Sequence, residues 1–461
     1  LGRGLVHAPT EPLLHSFRMA PWAQAALDRD MASTASPLLW AILTSSVGLM
    51  ADGYDIAVVD LIITTLGHLY PDDFHPAQKS FMASMTYVGI MLGMVGFGVL
   101  ADVTGHKAAS LATAALTALG CALSACCAKS RHFGLAYQLG LCRFLLGVGI
   151  GGEWPVSMTL GSGKEGCCFR QAGLLLSKGQ RLSVNVLMIA IGSMLAPALS
   201  MCLLAASVPP EVVWQALVLC GLLPSVAAFA ARLHLPAAAP AAHSPDESGE
   251  RHEAGAATTA GAAARRFWRD VRSQRAMLLG CCLVWSLQNF VSFGATSFRS
   301  LIYDRMFGVQ YLQSYRASLE HEALFGLWLS LASVLVGVGL VVTVDRASLF
   351  WLQLCSFFGF AAIAGLCGLL LGPSPGWLLL CLMCLWMAFL TTAGNTCYLV
   401  PAQSFLPEVS ATCCGIAAAS GKVGALVGTA LFPLIEHAWG LAVLLWVCCG
   451  VGVLGAASTL V

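Results

Sequence analysis

Charge is what this sequence has least of. Asp, Glu, Lys and Arg make up 10% of its 461 residues, where a soluble globular chain carries about 25%. One buried core cannot account for that deficit at this length, which excludes an ordinary soluble domain. Acids and bases nearly cancel, 23 against 24, for a net charge of +1. Bulk charge therefore gives no affinity for nucleic acid. No Ser/His/Asp set, metal cluster or phosphate loop stands out, so no enzyme activity, cofactor or metal is expected. The 19 cysteines lack the spacing of a zinc ribbon or a secreted disulfide frame. Most lie inside apolar runs, as in Cys281-Cys282 and Cys448-Cys449. Residues 1–36 lack a clean signal-peptide pattern.

What is present in excess is apolar surface, 58% of the residues. Lipid is the solvent that tolerates it. A hydrocarbon layer about 30 Å thick needs roughly 20 apolar residues per helix. Such runs occur near 38–62, 81–101, 108–128, 134–158, 182–206 and 212–232, then near 276–298, 322–343, 348–371, 376–400, 410–434 and 437–458. The expected fold is an all-α, multi-pass membrane protein of twelve transmembrane helices in two six-helix halves. The segments are a tail (1–36), a first bundle (37–232), a linker (233–275) and a second bundle (276–461).

The linker is rich in Ala, Pro, Ser, Gly, Glu and Arg and reads as flexible. Its end differs. Arg265, Arg266, Arg269, Arg272 and Arg275 recur at helical spacing around Phe267, Trp268 and Val271, the pattern of a short basic helix on the membrane surface. Placing both termini inside puts sixteen Lys and Arg, Arg232 among them, in inner segments and six in outer loops. That supports termini inside, although the short loops alone divide evenly. After spans two and eight, Asp102 with Lys107 and Asp345 with Arg346 put an acid and a base in matching inner loops. Such an echo fits a duplicated transporter.

Charges inside spans are costly and mark function by default. Span one holds Asp52, Asp55 and Asp60. Asp55 and Asp60 lie about 60° and 80° to either side of Asp52 at 100° per residue. The three fan over one face expected to look into the bundle or a cavity. Burial disfavours the ionised carboxylate, so these acids can carry protons; they can equally brace a neighbouring helix. In span four, Gly147, Gly149 and Gly152 match G-x-G-x-x-G. No strand precedes them, so the dinucleotide reading fails and close helix contact is expected. Glu153 beside Trp154 is a proton carrier or solute neighbour, and Arg143 serves structure or gating. Lys422 in span eleven needs a carboxylate or an anion, or else snorkels to the inner surface. Gly424 and Gly428 form a small-xxx-small contact. Trp285, Asn289 and Phe293 share a face of span seven, and Asn395 lies in span ten. They suit a polar solute or helix–helix hydrogen bonding.

Four segments carry a family resemblance. The loop Gly98-x-Leu100-Ala101-Asp102-x-x-Gly105-His106-Lys107 resembles the signature loop of the major facilitator superfamily. Asp52-Gly53-Tyr54-Asp55, the Gly-Ile-Gly-Gly-Glu-x-Pro run ending at Pro155, and the stretch from Asn395 through Gly424 resemble the phosphate:proton symporter family. The resemblance implies alternating access around a central anion site lined by Trp154, Gln180, Trp285, Asn289, Phe293 and Asn395. It implies proton-path candidates at Asp55 and Glu153, then Asp52, with Asp60 as a possible replacement acid. Asp102, Lys107, Arg143 and Lys422 are the gating and structural candidates. Trp154 and Phe293 stand where the family pattern has tyrosine, and Asn289 where it has aspartate. Asn289 donates a hydrogen bond but cannot titrate. The expected partners are a small anion, phosphate first, and protons, in a monomer of the plasma membrane or an organelle membrane. A neutral solute such as a sugar, an organic phosphate or carboxylate, and a solute receptor are the alternatives.

Overall fold

The computed structural model describes residues 46–128, 134–162, 176–233, 256–297, 315–370 and 375–460. The tail 1–36, linker residues 234–255, and Lys129, Arg131, Lys164, Arg170, Arg299 and Arg305 lie outside them.

In hydrocarbon a backbone must satisfy its own N–H and C=O groups, so apolar runs of this length become helices. The first half contains α1 (46–69), α2 (Pro76–Thr104), α3 (His106–Ala125), α4 (Leu135–Ser162), α5 (Lys178–Ala205) and α6 (Pro210–Leu233). A helix in the linker, α7 (Ala256–Ser273), precedes the second half: α8 (Arg275–Ser297), α9 (Tyr315–Thr343), α10 (Leu349–Leu370), α11 (Gly376–Ser404) and α12 (Ser410–Ser458). Gly440, at φ 82°, interrupts α12, which carries two spans, Pro407–Phe432 and Leu434–Ser458. Among the described residues 11 segments are long and apolar enough to cross a membrane. Helix α1 brings the number to twelve, and its three aspartates set it apart from the others. It runs to residue 69, beyond the expected end at 62, because Ile63, Leu66 and Leu69 continue the apolar pattern.

Glycine decides how closely these helices approach. Gly89 and Gly93 on α2 meet the backbone of Phe144 and Val148 on α4, while Gly147 and Gly151 on α4 meet that of Thr86 and Ile90 on α2. Gly149 abuts Thr113 and Thr117 of α3, and Gly152 abuts Phe97. The glycine-rich run of span four is thus a packing surface, the use small residues have in membranes. Gly424 and Gly428 lie on the backbone of Ser286 and Phe290, joining α12 to α8. Gly53 of α1 meets Ile189 of α5, and Gly192 of α5 meets Met50 of α1. Gly105, at φ 96°, closes α2 through an N–H to the Ala101 carbonyl at 3.0 Å and lets α3 start at the next residue.

Two seams join the halves, α2 against α12 and α5 against α9. Gly53→Val or Gly192→Val should each drive methyl groups into an opposing backbone, cost about 1–3 kcal/mol and lower the thermal unfolding midpoint in detergent. Unchanged midpoints in both variants would contradict the α1–α5 crossing.

Candidate functional site

At the end of the bundle assigned inside, each half grips the other through one aspartate. Asp102, at the end of α2, accepts the Thr412 N–H at 2.7 Å and the Ala411 N–H at 3.2 Å. These are orphan donors in the first turn of α12, where the helix dipole also favours an anion. Asp345, after α9, accepts the Ser177 hydroxyl at 2.5 Å, and Ser177 is the N-cap of α5. Lys107 is half-buried in the first turn of α3. At the opposite end His68 stacks edge-on against Tyr315, centroids 5.8 Å apart, and Arg316 donates to the Leu204 carbonyl at 3.1 Å. The halves therefore touch at both ends of the seam.

Within the first half lies a closed polar knot. The Arg232 guanidinium forms a buried ion pair with Glu153, which also accepts from the Thr113 hydroxyl at 3.0 Å and the Ser157 hydroxyl at 2.6 Å. Arg232 donates as well to the Ser110 carbonyl at 2.9 Å. The knot fits beneath α1 because residue 48 is glycine: a Cβ there would meet both charged groups. Arg143, 1% exposed, precedes Glu153 by about three turns on α4. It donates to the Asp55 backbone carbonyl at 3.2 Å, and the Cys121 thiol donates to the Asp55 carboxylate at 3.3 Å. Asp55 is thus held among α3, α4 and α6.

A different set meets where the halves face each other. The Lys422 ammonium lies 4.6 Å from the Phe293 ring centroid, 4.7 Å from that of Trp154 and 6.0 Å from that of Tyr87. Tyr398 packs edge-on between Trp154 and Trp285, at 5.0 and 4.7 Å. Gly421 of α12 abuts Trp285 and Asn289 of α8. Lys422 is 2% exposed, and among the described residues no carboxylate lies within 4.0 Å of it. Ring faces soften an ammonium's loss of water by about 2 kcal/mol when desolvated. They do not cancel its charge. The Asn289 side-chain N–H is buried and unpartnered among the described residues, as is one oxygen of Asp52; the buried Trp154 indole N–H is directed at the Asp52 carboxylate. One cation and one unpartnered donor at one place form a surface complementary to an anion.

The structure therefore gathers Trp154, Trp285, Asn289 and Phe293 with Lys422. Asn395 is buried one turn from Tyr398 on α11. Gln180 is elsewhere, because its backbone N–H and side-chain oxygen are both engaged with Ser177 in a capping box at the start of α5. Asp60 is exposed and does not share the inward face with Asp52 and Asp55. Its neighbours Val58, Val59 and Leu61 take the buried positions. Lys422 does not snorkel. Arg232 is no loop charge: it is 1% exposed, since Glu153 supplies its counter-ion. Tyr87, Tyr398 and Arg232 escaped the sequence reading. Tyr398, at i+3 from Asn395, shares its face and carried the one usable signal. A lone tyrosine in an apolar run and a lone arginine at a span's end carried none.

The family model described as "Sugar (and other) transporter" matches residues 40–461. The inorganic phosphate transporter PT2 of Toxoplasma gondii is 26% identical, over 90% of this chain and 70% of its own length. The probable inorganic phosphate transporter 1-6 of Arabidopsis thaliana is 24% identical, over 93% of this chain and 92% of its own. Glycerophosphoinositol permease 1 of Candida albicans is 24% identical over 87% and 73%. Among solved structures, the proton:xylose symporter XylE aligns with a TM-score of 0.70 and 15% identity, covering 92% of this chain and 95% of that one. At that identity the likeness speaks to the fold.

Removing one member of a buried ion pair strands the other and costs about 3–5 kcal/mol. Glu153→Gln and Arg232→Gln should each destabilise by that order, and the double variant should recover most of it in thermal unfolding. A double variant no better than either single would refute the pairing. Asp102→Ala should loosen the start of α12. A hydrogen bond to a charged group contributes about 1.5–3 kcal/mol, so alkylation of the buried Cys413 and Cys414, read by peptide mass spectrometry, should quicken roughly tenfold or more.

Proposed function

The chain belongs to the sugar (and other) transporter family of the major facilitator superfamily, and we propose that it is a secondary transporter of a small anion, inorganic phosphate first, coupled to protons. The observation that carries this reading is Lys422: a buried ammonium boxed by aromatic rings, without an ion-pair partner among the described residues, beside the unpartnered N–H of Asn289. The anion would accept from Lys422 and Asn289. Tyr87, Phe293 and Tyr398 would exclude water and hold the lysine in place. The named functions of the relatives support phosphate as the anion.

The site draws Tyr87 and Trp154 from the first half and Asn289, Tyr398 and Lys422 from the second. A bound anion would therefore bridge the halves. Rocking about it, with the Asp102 and Asp345 contacts opening in one direction and those at His68 and Arg316 opening in the other, would give alternating access from a structure in which both are made. For proton coupling the candidates are Asp52, which faces the site beside Trp154 with a free oxygen, and Asp55. Glu153 is assigned to structure instead, because Arg232, Thr113 and Ser157 occupy both of its oxygens. Arg143 positions α1 through the Asp55 carbonyl. A second reading, a phosphate ester as cargo, is favoured by Phe293, an apolar wall against Lys422 that suits an organic substituent.

Phosphate uptake into proteoliposomes with and without an inward proton gradient tests the reading. Wild type should accumulate phosphate only with the gradient, and Lys422→Gln should lose about tenfold or more, the loss of roughly 1.4 kcal/mol of anion affinity. Uptake indifferent to the gradient would overturn the coupling. No phosphate uptake by wild type, with uptake restored by Asn289→Asp, would move the cargo to another solute.

A further inference from the structure

We propose that α7 is a binding strip for the anionic headgroups of inner-leaflet lipids. The proposal is independent of which solute is carried. Helix α7 has two unlike faces. Val271 and, partly, Phe267 pack on Phe405, Val409, Cys413 and Cys414, which fixes the helix to the end of the second half. Arg265, Arg269 and Arg272 follow i, i+4, i+7 spacing and fall within about 60° of one another around the axis. They and Arg266 are exposed. Among the described residues none of the four guanidinium groups has a hydrogen bond or an ion pair. Trp268, 50% exposed, flanks the arginine stripe on the side nearer the docked face, a placement that aromatic residues favour at the membrane–water interface.

The depth of this surface is set by the chain. Only Gln274 separates α7 from α8, so Arg265 lies at most about 15 Å along the chain from the start of a span, at 1.5 Å per residue. The strip is therefore held at the headgroup layer. Asp270 is its single acid, so the charge is one-sided. A phosphodiester presents two acceptor oxygens with a fixed negative charge, which a guanidinium fork matches. Each arginine near an anionic surface contributes about fivefold in affinity.

Native mass spectrometry of the purified full chain tests this with phosphatidylglycerol, phosphatidylcholine or soluble glycerol phosphate added. Wild type should retain phosphatidylglycerol well above phosphatidylcholine. The Arg265→Gln/Arg269→Gln/Arg272→Gln variant should lose that preference, and the corresponding triple Lys variant should keep most of it. In wild type, raising salt to 1 M, where charges are screened within about 3 Å, should collapse the preference even if a variant proves unstable. Equal retention of the two lipids by wild type, a preference that survives high salt, or an unchanged preference in the Gln variant would overturn the proposal. Displacement of lipid by glycerol phosphate would mark a soluble-anion site and overturn it too.

Discussion

A charge inside a bilayer persists only if something stands in for water. Nearly every feature of this protein's interior follows from how that demand is met. Glu153 and Arg232 satisfy each other, and three hydroxyl and carbonyl partners complete the knot. Arg143 spends part of its donor capacity on the Asp55 carbonyl. Lys422 faces the rings of Tyr87, Trp154 and Phe293, with no ion-pair partner among the described residues. The first two arrangements lie within one half. The third is open, and it lies where the halves face each other.

Closing an anion between halves is useful only if the halves also hold each other weakly enough to part. The inner contacts have that character. Each is an aspartate from one half at the first turn of a helix in the other, Asp102 at α12 and Asp345 at α5. Such contacts form between rigid ends and break without unfolding anything. Asp102 ends α2 and Asp345 follows α9, the second span of each half.

The architecture was legible because lipid leaves so little choice: length and hydropathy fix the spans, and their number fixes the halves. Parts of the site were legible for the same reason, since Asp52, Glu153 and Lys422 are conspicuous in apolar runs. What sequence could not give is pairing across space. Glu153 and Arg232 are 79 positions apart, so one read as a proton carrier and the other as a loop charge. Gln180 read as a solute ligand because its residue type fits. Its position three residues after Ser177 makes a capping box, a local motif that was available and outweighed by family analogy. Asp60 failed on rotation, which helical periodicity leaves uncertain on a helix whose buried side spans a wide arc.

The α2–α4 contact, built from Gly89, Gly93, Gly147 and Gly151 against bare backbone, has a bearing on how this protein could change over generations. Main chain touching main chain has no rotamers to re-sort, so the spacing of the first half is indifferent to what happens at neighbouring side chains. Positions of α4 outside that contact are released from any duty to hold the first half together. Trp154, one such position, is then free to vary without respacing the helices, so the surface it shares with Lys422 can change while the scaffold is inherited whole.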